Sequence, residues 1–182
     1  MATKNNRRTV LTKRIFKETL MDLMKEKPIS KITIKEICDL ADMSRSTFYL
    51  HYQDQYDLLE DIEKEVLENT FKNLHKLNSE LTAIESITFF LQYVRKNKTV
   101  FSILLCQSET HSFQEGIMQS VQSYIQTILP EISDKLEENY MYSFIMHGCL
   151  HVIIDWIYHD FNIPEEKLAR FIYYACEHIV PR

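Results

Sequence analysis

The chain has 182 residues, 45% of them hydrophobic and 26% charged, with two glycines, four prolines and a formal net charge of −5. That length buries a sizeable core in one or two domains, and so few glycines and prolines exclude a fold made of many tight β-turns. No run of about 18 apolar residues exists, and Met1-Ala-Thr-Lys-Asn-Asn-Arg-Arg lacks an apolar signal core, so a cytoplasmic protein without a membrane segment is expected.

A first helix is expected near residues 9–26, preceded or begun by Lys4, Arg7, Arg8, Lys13, Arg14 and Lys17. Phe16, Leu20, Leu23 and Met24 give it an apolar stripe, and Pro28 ends it. Two short helices follow within Thr33–Tyr52. Thr33 and Glu36 have the spacing of a capping box, and Ile34, Ile37, Leu40 and Ala41 share a face. Asp42-Met43 makes the turn, since Asp tolerates the left-handed conformation that a tight corner often needs. Ser44 caps the next helix, on which Phe48 and Tyr52 point inward while Arg45, Ser46, Thr47, Tyr49 and His51 are left largely outside. This is the pattern of a helix-turn-helix with a polar recognition helix.

The run Ser44-Arg-Ser-Thr-Phe-Tyr-Leu-His-Tyr52, with Asp57-Leu58-Leu59 after it, resembles the DNA-binding domain of the TetR family of transcriptional regulators. The likeness is specific over about residues 9–70 and architectural beyond. It implies an all-α protein: a three-helix DNA-binding domain in residues 1–53, then a helical effector-binding and dimerisation domain in 54–182. Charge supports the division. Residues 1–53 carry 11 Lys/Arg against 6 Asp/Glu, a net of +5, and the other 129 carry 10 against 20, a net of −10. A basic module on an acidic body suits double-stranded DNA at one end only.

Arg45, Ser46 and Thr47 lie at the N-terminal end of the recognition helix, where base edges are met in this motif. Arg45 suits guanine, and Leu50 suits a thymine methyl. Tyr49, His51 and the caps Thr33 and Ser44 are expected at phosphates or at the helix start, contacts that fix register without reading sequence. Where relatives often carry Lys, this chain has Gln53 and Gln55. That loss should flatten the salt dependence by roughly two units of slope, which the basic arm from Lys4 to Lys17 would offset.

Further helices are expected over 54–77, from Thr82 (a second capping box, with Glu85), over 99–106, 112–129 and 133–159, and from Pro164 to Ile179. The aromatics Phe89, Phe90, Tyr93, Phe101, Phe113 and Tyr124 are mostly core. By the resemblance this region surrounds an effector cavity, with Phe90, Tyr93, Phe101, His147 and His151 as candidate wall. The resemblance also makes the last two helices a homodimer interface, with Gly148, Ile153, Trp156, Phe171, Ile172 and Ala175 as candidates. Gly148 supports this, because a mid-helix glycine costs about 1 kcal/mol relative to Ala unless something approaches closely.

His147, His151, Asp155 and His159 recur every four residues. The first three have the chemistry of a transition-metal trio. A polar lining of a pocket or helix contact is preferred, because helical drift separates such groups, and no metal or cofactor is expected. Cys38, Cys106, Cys149 and Cys176 form no CxxC pair and read as small buried hydrophobes. Without HExxH, GxSxG or a phosphate-cradling loop the chain does not read as an enzyme. The expectation is a sequence-specific regulator of a palindromic operator, a repressor released by an effector. The alternative is an activator or co-regulator that answers to a protein partner.

Overall fold

A computed structural model describes residues 2–76, 82–107, 112–119 and 135–179. The described residues are helical, as expected. They comprise α1 (Ala2–Met24), α2 (Ile34–Leu40), α3 (Arg45–Tyr49), α4 (Gln55–Lys76), α5 (Ala83–Lys96), α6 (Lys98–Phe101), α7 (112–119), α8 (Lys135–Tyr158) and α9 (Glu165–Ile179). A 3-10 turn, Ile29–Lys31, separates α1 from α2. Positions 120–134, including Tyr124 and the ends of two expected helices, lie outside the described residues.

Two compact units result, one within residues 1–66 and the other within 67–106 and 110–182; α4 runs through the division. In the first unit α1 packs on α2 and α2 on α3. Phe16, Leu20 and Met24 of α1, Ile37 of α2, Phe48 of α3 and Leu58, Leu59 and Ile62 of α4 fill its core. Helix α1 starts at Ala2, well before the expected residue 9, since nothing between Ala2 and Thr9 is a helix breaker.

In the second unit α5 packs along α9, and α8 also meets α9. The capping box expected at Thr82 is present, with Thr82 Oγ1 accepting from the Glu85 amide and the Glu85 carboxylate accepting from the Thr82 amide at 2.8 Å. Residues 99–106 do not form one regular α-helix: four α-helical residues pass into a wider π-helical stretch, Ser102–Gln107, in which Ile103, Leu104 and Leu105 are all buried. Pro164 stands just before α9, its carbonyl accepting from the Lys167 and Leu168 amides at 3.1 Å.

The cysteines depart from expectation. Cys38 is buried, but Cys106 is exposed, and Cys149 and Cys176 are half-buried with their sulfurs 3.6 Å apart. Packing of α8 on α9 joins two positions 27 residues apart, which spacing alone does not reveal.

Candidate nucleic-acid interface

The recognition helix α3 has five residues, too few to hold itself together in water. Its neighbours hold it. Phe48, fully buried, meets Phe16 of α1 edge-on at 5.3 Å between ring centres, and Tyr52 meets the same ring at 6.5 Å. Burial of one such ring contributes roughly 2–3 kcal/mol, enough to fix a helix with little stability of its own.

Both helix starts are built from hydroxyls. Ser44 Oγ accepts from the Thr47 amide at 3.1 Å and lies 2.8 Å from both Ser46 Oγ and Thr47 Oγ1. This three-hydroxyl cluster sits beside the exposed Arg45 at the helix N-terminus, where amides and helix dipole favour an anion. At α2 the Thr33 hydroxyl accepts from the Glu36 amide at 3.3 Å, and Glu36 accepts from the Thr33 amide and hydroxyl at 3.0 and 2.9 Å. Lys27 donates to the other oxygen of Glu36 at 2.6 Å. Lys27 first, and then the Thr33 amide and hydroxyl, pull the Glu36 carboxyl down to about 2. The Thr33 hydroxyl proton is therefore committed to a carboxylate.

Between these starts lies the corner. Asp42 adopts φ 51°, in the left-handed region, with the Met43 amide donating to Cys38 O at 3.0 Å and the Asp42 amide to Asp39 O at 3.4 Å. That is a Schellman closure with Asp where glycine is usual. Beyond it Tyr49 and Leu50 are exposed, Leu50 at 78%, and His51 is half-buried against the Tyr52 ring. One polar surface thus carries Arg45, Ser46, Thr47, Tyr49 and Leu50.

Sequence reading missed Asp61. It lies on the otherwise apolar face of α4 that carries Leu58 and Ile62, and accepts the Tyr52 hydroxyl at 2.8 Å. Lys13 and Lys17 pair with it at 3.3 and 3.2 Å, and Lys17 also pairs with Glu65 at 2.6 Å. Burial alone would raise the Asp61 pKa, but Tyr52, Lys17 and Lys13 outweigh it and hold the carboxyl below its ordinary value. Burial, followed by the bond to Asp61, pushes the Tyr52 phenol well up. The only early signal was a carboxylate on the apolar stripe of α4. Lys13 and Lys17 spend their charge on α4, and Arg14 pairs with Glu18 at 2.7 Å, so these three offset little of the cation loss at Gln53 and Gln55. Arg7, Arg8, Lys31, Lys35 and Arg45 are exposed.

Among the described residues the candidates for the effector wall take different places. Phe101 is fully buried and packs edge-on against Tyr93 and Phe113 at 5.8 and 6.0 Å, and Phe90 is half-buried. His147 and His151 instead lie on the exposed face of α8, each donating its Nδ1 proton one turn back, to Ser143 O at 2.7 Å and His147 O at 2.9 Å. His159 does the same to Asp155 O at 2.8 Å. Because each ring folds onto its own helix, His147, His151 and Asp155 do not converge. Among the described residues no group of three His, Cys, Asp or Glu could hold a metal ion.

The expected dimer face needs redrawing. Ile153, Trp156 and Ile172 fall on the stripes that α8 and α9 turn into their own chain's core, leaving 8%, 3% and 7% of their surface exposed. Gly148 is exposed, and among the described residues a methyl placed on it would meet no neighbouring element within 4 Å. Near it on the outer face of α8 are Tyr140 and Phe144; α9 exposes Phe171 and Tyr174 and half-buries Ala175. Among the described residues no helix is long and apolar enough to cross a membrane.

Comparison with known proteins agrees with this geometry. The family model described as bacterial regulatory proteins, tetR family, matches residues 18–62, and one described as a transcriptional regulator C-terminal region matches 82–177. An uncharacterised HTH-type transcriptional regulator of Bacillus subtilis, YxbF, is 28% identical over 109 residues, 57% of this chain and 29% of its own length. DhaS of Lactococcus lactis, an HTH-type dhaKLM operon transcriptional activator, is 28% identical over 98 residues, 53% of this chain and 50% of its own. The matches thus span half or less of these two relatives. A solved TetR transcriptional regulator from Streptococcus agalactiae covers 100% of both chains with a TM-score of 0.77 at 21% identity, a likeness of fold.

Proposed function

Because this chain belongs to the TetR family of bacterial regulatory proteins and is a helix-turn-helix DNA-binding transcriptional regulator, not an enzyme, we propose that it works as a homodimeric repressor of a palindromic operator. The observation that carries the reading is the start of α3. There Arg45 stands exposed beside the hydroxyls of Ser44, Ser46 and Thr47, on a helix anchored by the buried Phe48 and Tyr52. Arg45, Ser46 and Thr47 face base edges, Leu50 meets a thymine methyl, and Tyr49 and His51 bond phosphates, while Thr33 holds the start of α2.

Two copies join through the outer faces of α8 and α9, where Phe144, Phe171 and Tyr174 are exposed and Gly148 leaves room for close approach. Two-fold symmetry then spaces the recognition helices about 34–36 Å apart, or a multiple of it. An effector bound in the C-terminal unit, with the half-buried Phe90 and Tyr93 in its wall, releases the operator by favouring one state over the other. The protein acts in the cytoplasm and uses no cofactor. A second reading, activation in response to a protein partner, is favoured by the likeness to DhaS, itself an activator.

Selection of bound duplexes from a random library at two salt concentrations tests the proposal. The expected result is an enriched palindrome, with Arg45→Ala weakening the selected site about tenfold or more and relaxing one base position. Salt-sensitive binding without any preferred sequence would refute it.

A further inference from the structure

Cys149 on α8 and Cys176 on α9 are both half-buried, with their sulfurs 3.6 Å apart. They lie where the inward stripe of α8, carrying Met146, Leu150 and Ile153, gives way to its exposed face, carrying Gly148 and His151. On the single chain that partial exposure admits a small oxidant. A disulfide needs about 2 Å between sulfurs and Cα atoms roughly 4.4–6.8 Å apart, and side chains already in contact across two packed helices have little left to travel.

We propose that Cys149 and Cys176 form an oxidant-reactive dithiol, a modification site for hydrogen peroxide that closes into an intramolecular disulfide joining α8 to α9. A weak hydrogen bond links the two thiols, and with its proton held on Cys149 it lowers the pKa of Cys176 and raises that of Cys149. Cys176 is therefore the attacking thiolate. Its sulfur takes one oxygen of peroxide as the O–O bond breaks; sulfur is oxidised to the sulfenic acid, and hydroxide leaves and is protonated to water. Cys149 then loses its proton, and its sulfur attacks that of Cys176. The S–O bond breaks, the oxygen leaves as a second water, and the S–S bond forms. In sum two thiols and one peroxide give one disulfide and two waters.

Closure would pin the end of a 27-residue loop and fix α8 against α9. The other thiols serve as internal controls: Cys106 is exposed and has no cysteine beside it among the described residues, and Cys38 is buried.

The test treats the full-length protein with stoichiometric hydrogen peroxide, blocks remaining thiols with an alkylating agent in denaturant and maps the peptides. The expected product is a Cys149–Cys176 disulfide within single chains, reversed by a dithiol reductant, with Cys38 still alkylated. In Cys149→Ser, dimedone is expected to trap a sulfenic acid at Cys176. Oxidation confined to Cys106, or disulfides from Cys149 or Cys176 only between chains, would overturn the proposal. No step depends on DNA binding, so its failure and that of the regulator reading are separable.

Discussion

The corner after α2 and the corner after α8 both turn on a left-handed aspartate, Asp42 at φ 51° and Asp160 at φ 54°. In each, the amide of the following residue reaches back five positions, Met43 to Cys38 O at 3.0 Å and Phe161 to Trp156 O at 2.8 Å. What holds them differs. The first is closed by groups within about a dozen residues: the Thr33–Glu36 box before it, the Schellman bonds, and the Ser44 cap after it. The second has a further left-handed residue, Phe161 at φ 59°, a conformation that a bulky side chain enters only at a cost of order 1–3 kcal/mol.

Groups far along the chain offset that strain. The Phe161 ring meets Trp156 edge-on at 4.6 Å, and Arg95 of α5 lies over both rings at 5.1 and 5.2 Å. The Arg95 guanidinium also donates to Phe161 O and Ile163 O, each at 3.2 Å, and pairs with Glu165 at 2.6 Å. Trp156 Nε1 donates to Ile163 O at 2.9 Å, and Lys98 pairs with Asp160. The first corner itself is set locally, although the α3 that follows it rests on Phe16 of α1. The α8–α9 corner has local bonds as well, but it also draws on Arg95 of α5 and Lys98 of α6.

Substitutions can break this contrast, beginning with the largest effect. Phe161→Gly removes the positive-φ strain yet should lose about 2–3 kcal/mol net, because lost ring packing exceeds the relief. Denaturant unfolding checks this, and a gain would mean that the strain dominates. Arg95→Ala should cost about 2 kcal/mol, by stripping two carbonyls of a donor and two rings of their cation. Hydrogen exchange should quicken at the amides of 156–168 and not at those of 38–48. Asp42→Gly, the same kind of change at the local corner, should gain about 0.5 kcal/mol, as only the backbone penalty is relieved.

The smallest effect is a pH dependence at the first corner. The Glu36 carboxyl is lowered to about 2 from an ordinary 4.5, so its stabilisation of the α2 start is fully present above 4.5 and lost as pH falls through about 2. An NMR titration of Glu36, followed with the exchange rate of the Thr33 amide, measures it. A Glu36 midpoint near 4.5 would show that Lys27 and Thr33 do not hold the carboxylate in solution.

Features that depend on neighbours within about ten residues are legible in the amino-acid order. Both capping boxes, the Ser44 cap, the left-handed Asp42 and the inward Phe48 and Tyr52 all follow from short spacings, because helix ends and tight turns satisfy their own amides with the nearest side chains. The remaining contacts come from how the helices pack. Asp61 meets Lys17, Arg95 finds Phe161, and Cys149 touches Cys176 across 27 to 66 residues, since the partner is chosen by which helix faces pack and not by spacing. The same reason turned Ile153, Trp156 and Ile172 inward and left His147 and His151 outside: periodicity defines a helix face, but only the packed neighbours settle which face is buried.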